Sequence, residues 1–164
     1  MPTLNLTIDI INDDQFSDLP NFDEIHRWLS LVLIHEKIFT ASLSLTYLSL
    51  EEIQTLNEQY RDKNYPTNIL SFPFEAPPGL PADALDDNFL GDLVVSPDIL
   101  EKEATEQGKP LKHHQAHILI HGLLHLIGYD HIADDEREEM ETLEIKLLKE
   151  LTIPNPYDPE VING

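Results

Sequence analysis

The stretch from His121 to His131, H-G-L-L-H-L-I-G-Y-D-H, constrains this chain more than any other. His121 and His125 lie four residues apart in an apolar run (Ile118, Leu119, Ile120, Leu123, Leu124, Leu126, Ile127). That run reads as a helix, so both imidazoles project from one face, one turn apart. Two neutral imidazoles in that position can grip one metal ion. Gly128 stands where a helix needs a left-handed residue to stop, and the reversal it permits can swing His131 back toward the first two. Three nitrogen ligands with an open fourth position describe a catalytic zinc site better than a structural one, which a fourth Cys or His would close.

The metzincin motif H-E-x-x-H-x-x-G-x-x-H sets its three ligands and its glycine at the same offsets. One position differs. Where that motif carries the glutamate that activates water, this chain has Gly122, and neither Leu123 nor Leu124 can take a proton. The pattern supports metal binding and does not support peptide hydrolysis by that route. Histidines at i and i+4 on an apolar helix are often only satisfied core residues; the third histidine after a helix-stopping glycine shifts the balance to a metal.

At 164 residues the chain is long enough for one domain with a real core and too short for two comfortable ones. It has no Cys, so disulfides and thiolate ligation are excluded and any zinc falls to His, Asp or Glu. Of the eight histidines, five (His113, His114, His117, His121, His125) crowd one segment, more than a plain structural helix needs. The start M-P-T-L-N-L-T-I-D-I has neither a basic beginning nor a long apolar segment, so the expectation is a cytoplasmic protein with no membrane anchor. The 31 acidic and 10 basic residues give a net charge of -21, which repels polyanions at long range. Any nucleic-acid role therefore needs a locally basic surface. The acidic runs Asp83 to Asp87 and Asp134 to Glu141 read as solvated loops and faces.

Residues 4–11 and 42–48 alternate apolar and polar and read as strands. Between them the apolar positions Phe22, Ile25, Leu29, Val32 and Leu33 recur at helical spacing, predicting a helix from 21 to about 39 with Asn21 or Asp23 as its cap. His26 and His35 on it are ordinary surface or boundary residues. Ser49 with Glu52 is a capping box opening a short helix through Ile53, Leu56 and Tyr60. Residues 68–72 read as a third strand ended by Pro73, 75–88 as a Pro- and Asp-rich loop, and 90–95 as a fourth strand. Ser96 and Pro97 open a helix that Gly108 and Pro110 break. The histidine helix spans about 111–127, and an acidic helix from about 134 to 151 carries Met140, Leu143, Leu147 and Leu148 on one side. Residues 155–164 are expected to fray. The expected architecture is a single α+β domain spanning 1–164, with about four strands in a mixed sheet, about five helices, and the metal site on a central helix.

Three stretches, N-E-Q-Y-R-D-K-N-Y-P-T-N-I-L-S-F-P at 57–73, F-L-G-D-L-V-V-S at 89–96 and H-I-L-I-H-G-L-L-H-L-I-G-Y-D-H at 117–131, together resemble the YbeY family of bacterial endoribonucleases, also called rRNA maturation factors. The likeness in order and spacing runs over nearly the whole chain. It implies a single-strand-specific, metal-dependent endoribonuclease acting in rRNA processing, at the 16S rRNA 3′ end, and in ribosome quality control. It further implies one Zn2+ held by His121, His125 and His131, and an arginine, Arg61, needed for function. The family usually reads P-T-D-V-L-S-F-P; Asn68 here replaces the aspartate, which puts any role of that carboxylate in doubt.

A zinc ion on three histidines lowers the pKa of bound water toward ~7 or polarises a phosphoryl oxygen, so phosphodiester cleavage needs no glutamate base. The Arg61 guanidinium can hold a phosphate in two-pronged fashion, although a helix-end arginine is more commonly a plain surface residue. Either the RNA 2′-hydroxyl or metal-bound water could attack. Lys63 is a second candidate phosphate contact or simply a solubilising charge. His117 is a further ligand-supporting residue, a proton shuttle or a packed boundary histidine. Asp130 either orients a ligand or caps a turn, and Tyr129 is expected to serve packing. Given the charge, the expected partners are single-stranded RNA or rRNA delivered by the ribosome or a ribosomal protein, with local capture by Arg61 and Lys63; oligomeric state is left open. Two other readings compete: a zinc hydrolase of metallopeptidase type, weakened by Gly122, and a nonenzymatic ribosome-assembly factor stabilised by its metal.

Overall fold

A computed structural model of the chain describes residues 3–74, 88–129 and 134–157. Of the loop expected at 75–88, residues 75–87 lie outside the described residues, as do Asp130 and His131. Among the described residues nine elements follow one another: β1 (Asn5–Ile11), α1 (Phe22–His35), β2 (Thr40–Tyr47), α2 (Leu50–Arg61), β3 (Ile69–Pro73), β4 (Phe89–Val95), α3 (Pro97–Gln107), α4 (Leu111–Leu126) and α5 (Asp134–Glu150).

The helix starts are set by the residues the sequence singles out. Asn21 accepts from the Glu24 amide at 2.8 Å while Glu24 accepts from the Asn21 amide at 3.1 Å, a reciprocal capping box. Ser49 and Glu52 repeat the arrangement on α2, and Ser96 with Pro97 at the first position opens α3. α1 stops at His35, four residues short of the expected end, because Lys37 takes a left-handed conformation (φ 60°) and turns the chain into β2.

The sheet order is β1-β2-β4-β3, with β1, β2 and β4 parallel and β3 antiparallel to β4. β3 therefore forms one edge, which is where its Pro73 is tolerated. Alternation splits the faces. Ile69, Leu93 and Val95 join the large core with α1, α3, α4 and α5, whereas Leu70 and Val94 pack against Ile53 of α2 in a smaller cluster. One helix covers the far face, four the near one.

α4 is the central helix. Eleven of its residues are buried, His114, Gln115 and His117 among them, so neighbours enclose it on most sides. It lies close against the sheet at Gly122. A Cβ there would meet Ile69 Cδ1 at 2.4 Å and Leu93 Cδ2 at 3.3 Å, and the Ser71 hydroxyl donates to the Gly122 carbonyl at 2.8 Å. Glycine at 122 is thus the contact that lets α4 lie against the β3 edge. After Ile127, Gly128 adopts φ 116° and ends the helix as expected.

Candidate metal centre

His117, His121 and His125 stand on successive turns of one face of α4. The Nε2 atoms of His121 and His125 are 3.1 Å apart. The Nδ1 of His125 lies 3.0 Å from the Tyr129 carbonyl, which can only accept, so that Nδ1 carries the proton. The Nδ1 of His121 lies 2.5 Å from Glu144 Oε1.

Glu144 is wholly buried. Its other oxygen, Oε2, accepts from His117 Nε2 at 3.0 Å and from the Tyr157 hydroxyl. Burial alone would raise its carboxyl pKa, but the bonds to His117 and His121 outweigh that and hold it down at about 2. Burial lowers the His117 pKa despite Glu144, and burial first, then Glu144, raises that of the Tyr157 hydroxyl. The group is thus one carboxylate, Glu144, accepting from His121, His117 and Tyr157. With Glu144 ionised, His121 Nδ1 is a donor too.

With Nδ1 of each ring engaged by an oxygen acceptor, both rings turn Nε2 toward one another. Two imidazoles on one zinc at about 2.05 Å and a tetrahedral angle would hold their nitrogens about 3.3 Å apart, close to the observed 3.1 Å. This donor set suits a divalent cation. His117, His121 and Glu144 also offer ligand atoms within 4.8 Å of one another and could hold an ion themselves.

The histidine pair opens into a groove of about 650 Å³ along the β3 edge, lined by Tyr60, Arg61, Thr67 to Phe72, His121, His125, Gly128 and Tyr129. Arg61 and Tyr60 come from the end of α2, so the groove is closed by helix ends from both faces of the sheet. Asn57, buried in α2, donates to the Tyr65 carbonyl at 2.8 Å and so fixes the loop that follows Arg61. Asn68 donates to Glu103 at 3.2 Å, and Glu103 also meets His114 Nε2 at 2.9 Å. Burial would raise the Glu103 carboxyl, but those bonds to His114 and Asn68 hold it below its ordinary value.

Of the residues expected at the site, the structure brings Arg61, His121 and His125 together. Lys63 is exposed, beyond the left-handed Asp62 (φ 56°), and does not line the groove. His117 supports Glu144, and Tyr129 both packs on the core and lends its carbonyl to His125.

A family model described as Endoribonuclease YbeY matches residues 9–152, most of the chain. The chain belongs to the YbeY family. Its similarity to named members is high: it is 52% identical over 153 residues to "Endoribonuclease YbeY" of Francisella philomiragia, covering 93% of this chain and 96% of that one. The corresponding protein of Francisella tularensis subsp. novicida is 52% identical over 161 residues, 98% of each chain. The solution structure of TM1509 from Thermotoga maritima superposes with a TM-score of 0.56 at 25% identity, covering 93% of this chain and 98% of that one. No helix among the described residues is long and apolar enough to cross a membrane.

Two residues of this YbeY-family centre escape sequence reasoning. Glu144 had a signal: it is a carboxylate on the α5 stripe otherwise formed by Met140, Leu143, Leu147 and Leu148, all buried. Tyr157 had none. It sits in the segment expected to fray, yet its hydroxyl reaches both Glu144 and His117, so residues 155–157 are docked.

Proposed function

We propose that the chain is a single-domain, cytoplasmic, metal-dependent endoribonuclease that cuts single-stranded RNA in rRNA processing, at the 16S rRNA 3′ end, and in ribosome quality control. Family membership supports RNA cleavage. The observation that carries the site is the His121–His125 nitrogen pair facing a groove that Arg61 shares. The metal ligands in this reading are His121, His125 and His131, with zinc as the ion. The His117–His121–Glu144 group is the weaker alternative, because Glu144 already accepts from His117, His121 and Tyr157 and none of its surface meets the groove.

Bound there, a divalent ion supplies Lewis acidity toward a phosphodiester or water. The chain's own residues do the rest. Arg61 binds the phosphate through paired N–H donors and stabilises charge developing on it. Glu144 and the Tyr129 carbonyl hold the two rings in the tautomer that turns Nε2 to the groove. Lys63, outside the groove, contacts phosphate further along the strand. With a net charge of -21, long-range attraction of RNA is unfavourable, so delivery by a ribosomal protein or the ribosome complements local capture.

The test is cleavage of a single-stranded RNA spanning a 16S 3′ end, free and in ribosomal particles, by wild type, His121→Ala and Arg61→Ala, each assayed for bound metal. Loss in both variants, with metal and fold kept in Arg61→Ala, is expected. Equal cutting by all three overturns the reading and favours an assembly factor. A 2′,3′-cyclic phosphate with a 5′-hydroxyl at the cut would assign the attack to the 2′-hydroxyl, a 5′-phosphate with a 3′-hydroxyl to water.

A further inference from the structure

Tyr60 precedes Arg61 at the end of α2 and lines the same groove as His121 and His125, yet it is 66% exposed. Its ring meets Phe72 edge to face, with centroids 5.1 Å apart and planes at 70°. Phe72 in turn packs against the cluster of Ile53, Leu70 and Val94. One side of the tyrosine is thus steadied by a ring anchored in the core, and the rest is open. A tyrosine ring held on one side and open on the other offers a flat, rigid apolar face on which a planar ligand ring can lie.

Charge indicates what that is. Arg61 is the Lys or Arg that lines the groove among the described residues, in a chain whose net charge is -21. Electrostatic collection of a polyanion is weak here, whereas stacking of a base on an aromatic face is indifferent to net charge. The groove of about 650 Å³ has the size of a small-ligand cleft and not of a duplex. We propose that Tyr60 is the stacking platform for an unpaired nucleobase adjoining the phosphate held by Arg61, and that it makes the groove select single strands. A base in a duplex has both faces stacked already and cannot use it. This rests on the endoribonuclease reading above.

The experiment uses a short single-stranded RNA with one 2-aminopurine moved along its length, bound to wild type, Tyr60→Ala and Tyr60→Phe at low and physiological salt. KM and kcat are measured on the same RNA, and thermal unfolding confirms that each variant is folded. Wild type should quench the fluorophore at one position. Tyr60→Ala should lose the quench, bind ~10–100-fold more weakly at both salts and raise KM by a similar factor with a smaller change in kcat. Tyr60→Phe should keep both. The inference is overturned if Tyr60→Ala binds and cuts like wild type, if Tyr60→Phe loses as much as the alanine, or if the loss vanishes as salt is raised. Quenching by a wild type that does not cut would refute the endoribonuclease reading and leave the platform standing. A wild type that neither quenches nor cuts would refute both.

Discussion

Glu144 of α5 accepts a hydrogen bond from His121 Nδ1 at 2.5 Å, across 23 residues of sequence. The bond turns the Nε2 lone pair of His121 toward His125, and the same carboxylate is held from behind by His117 and Tyr157. Partners of this kind orient metal-binding imidazoles and raise their basicity. Replacing Glu144 with Gln should therefore weaken metal retention ~10–100-fold, measured by competition with a chelator, while Tyr157→Phe gives a smaller loss. Unchanged affinity in both would show that the carboxylate does not serve the metal.

The same carboxylate makes the metal-free protein sensitive to acid. Its folded pKa, at about 2, lies below the ordinary glutamate value of 4.5, so it contributes stability that is full above the unfolded pKa and is lost as pH falls through the window between the two values. The lost proton difference gives a slope of up to ~1.4 kcal/mol per pH unit there. Urea unfolding across that range should show a shallower acid limb in Glu144→Gln than in wild type.

Asn68 offers its amide to Glu103, which also meets His114. Asn68→Asp would set a second carboxylate against Glu103, and like charges so close disfavour ionisation of both. The expected cost is about 1–3 kcal/mol at neutral pH, read from urea midpoints. Adding Glu103→Gln should recover most of it, since the new amide can donate to the aspartate. No recovery would mean that repulsion is not the cause.

Gly122 tests the difference from the metzincin pattern. Gly122→Ala drives a methyl into Ile69, and overpacking of that kind costs about 1–3 kcal/mol. Gly122→Glu should destabilise further and should not produce peptide hydrolysis, because position 122 faces Ile69 and Leu93 of the sheet. Peptidase activity in that variant would revive the metallopeptidase reading.

Sequence alone determined what short-range periodicity determines. His121 and His125 share a face because a helix repeats near four residues; Gly128 ends that helix because it tolerates positive φ; Asn21, Ser49 and Ser96 open helices by bonding the amide three residues away. The resemblance carried by 57–73, 89–96 and 117–131 pointed to the family. Tertiary structure decided the rest. Only the pairing of β4 between β2 and β3 makes β3 an edge, and only that edge brings Arg61 from one face of the sheet to His121 and His125 on the other. Glu144 and Tyr157 reach the centre from α5 and the segment after it. Such contacts depend on how buried surfaces of distant segments fit, and no local pattern of residues encodes that fit.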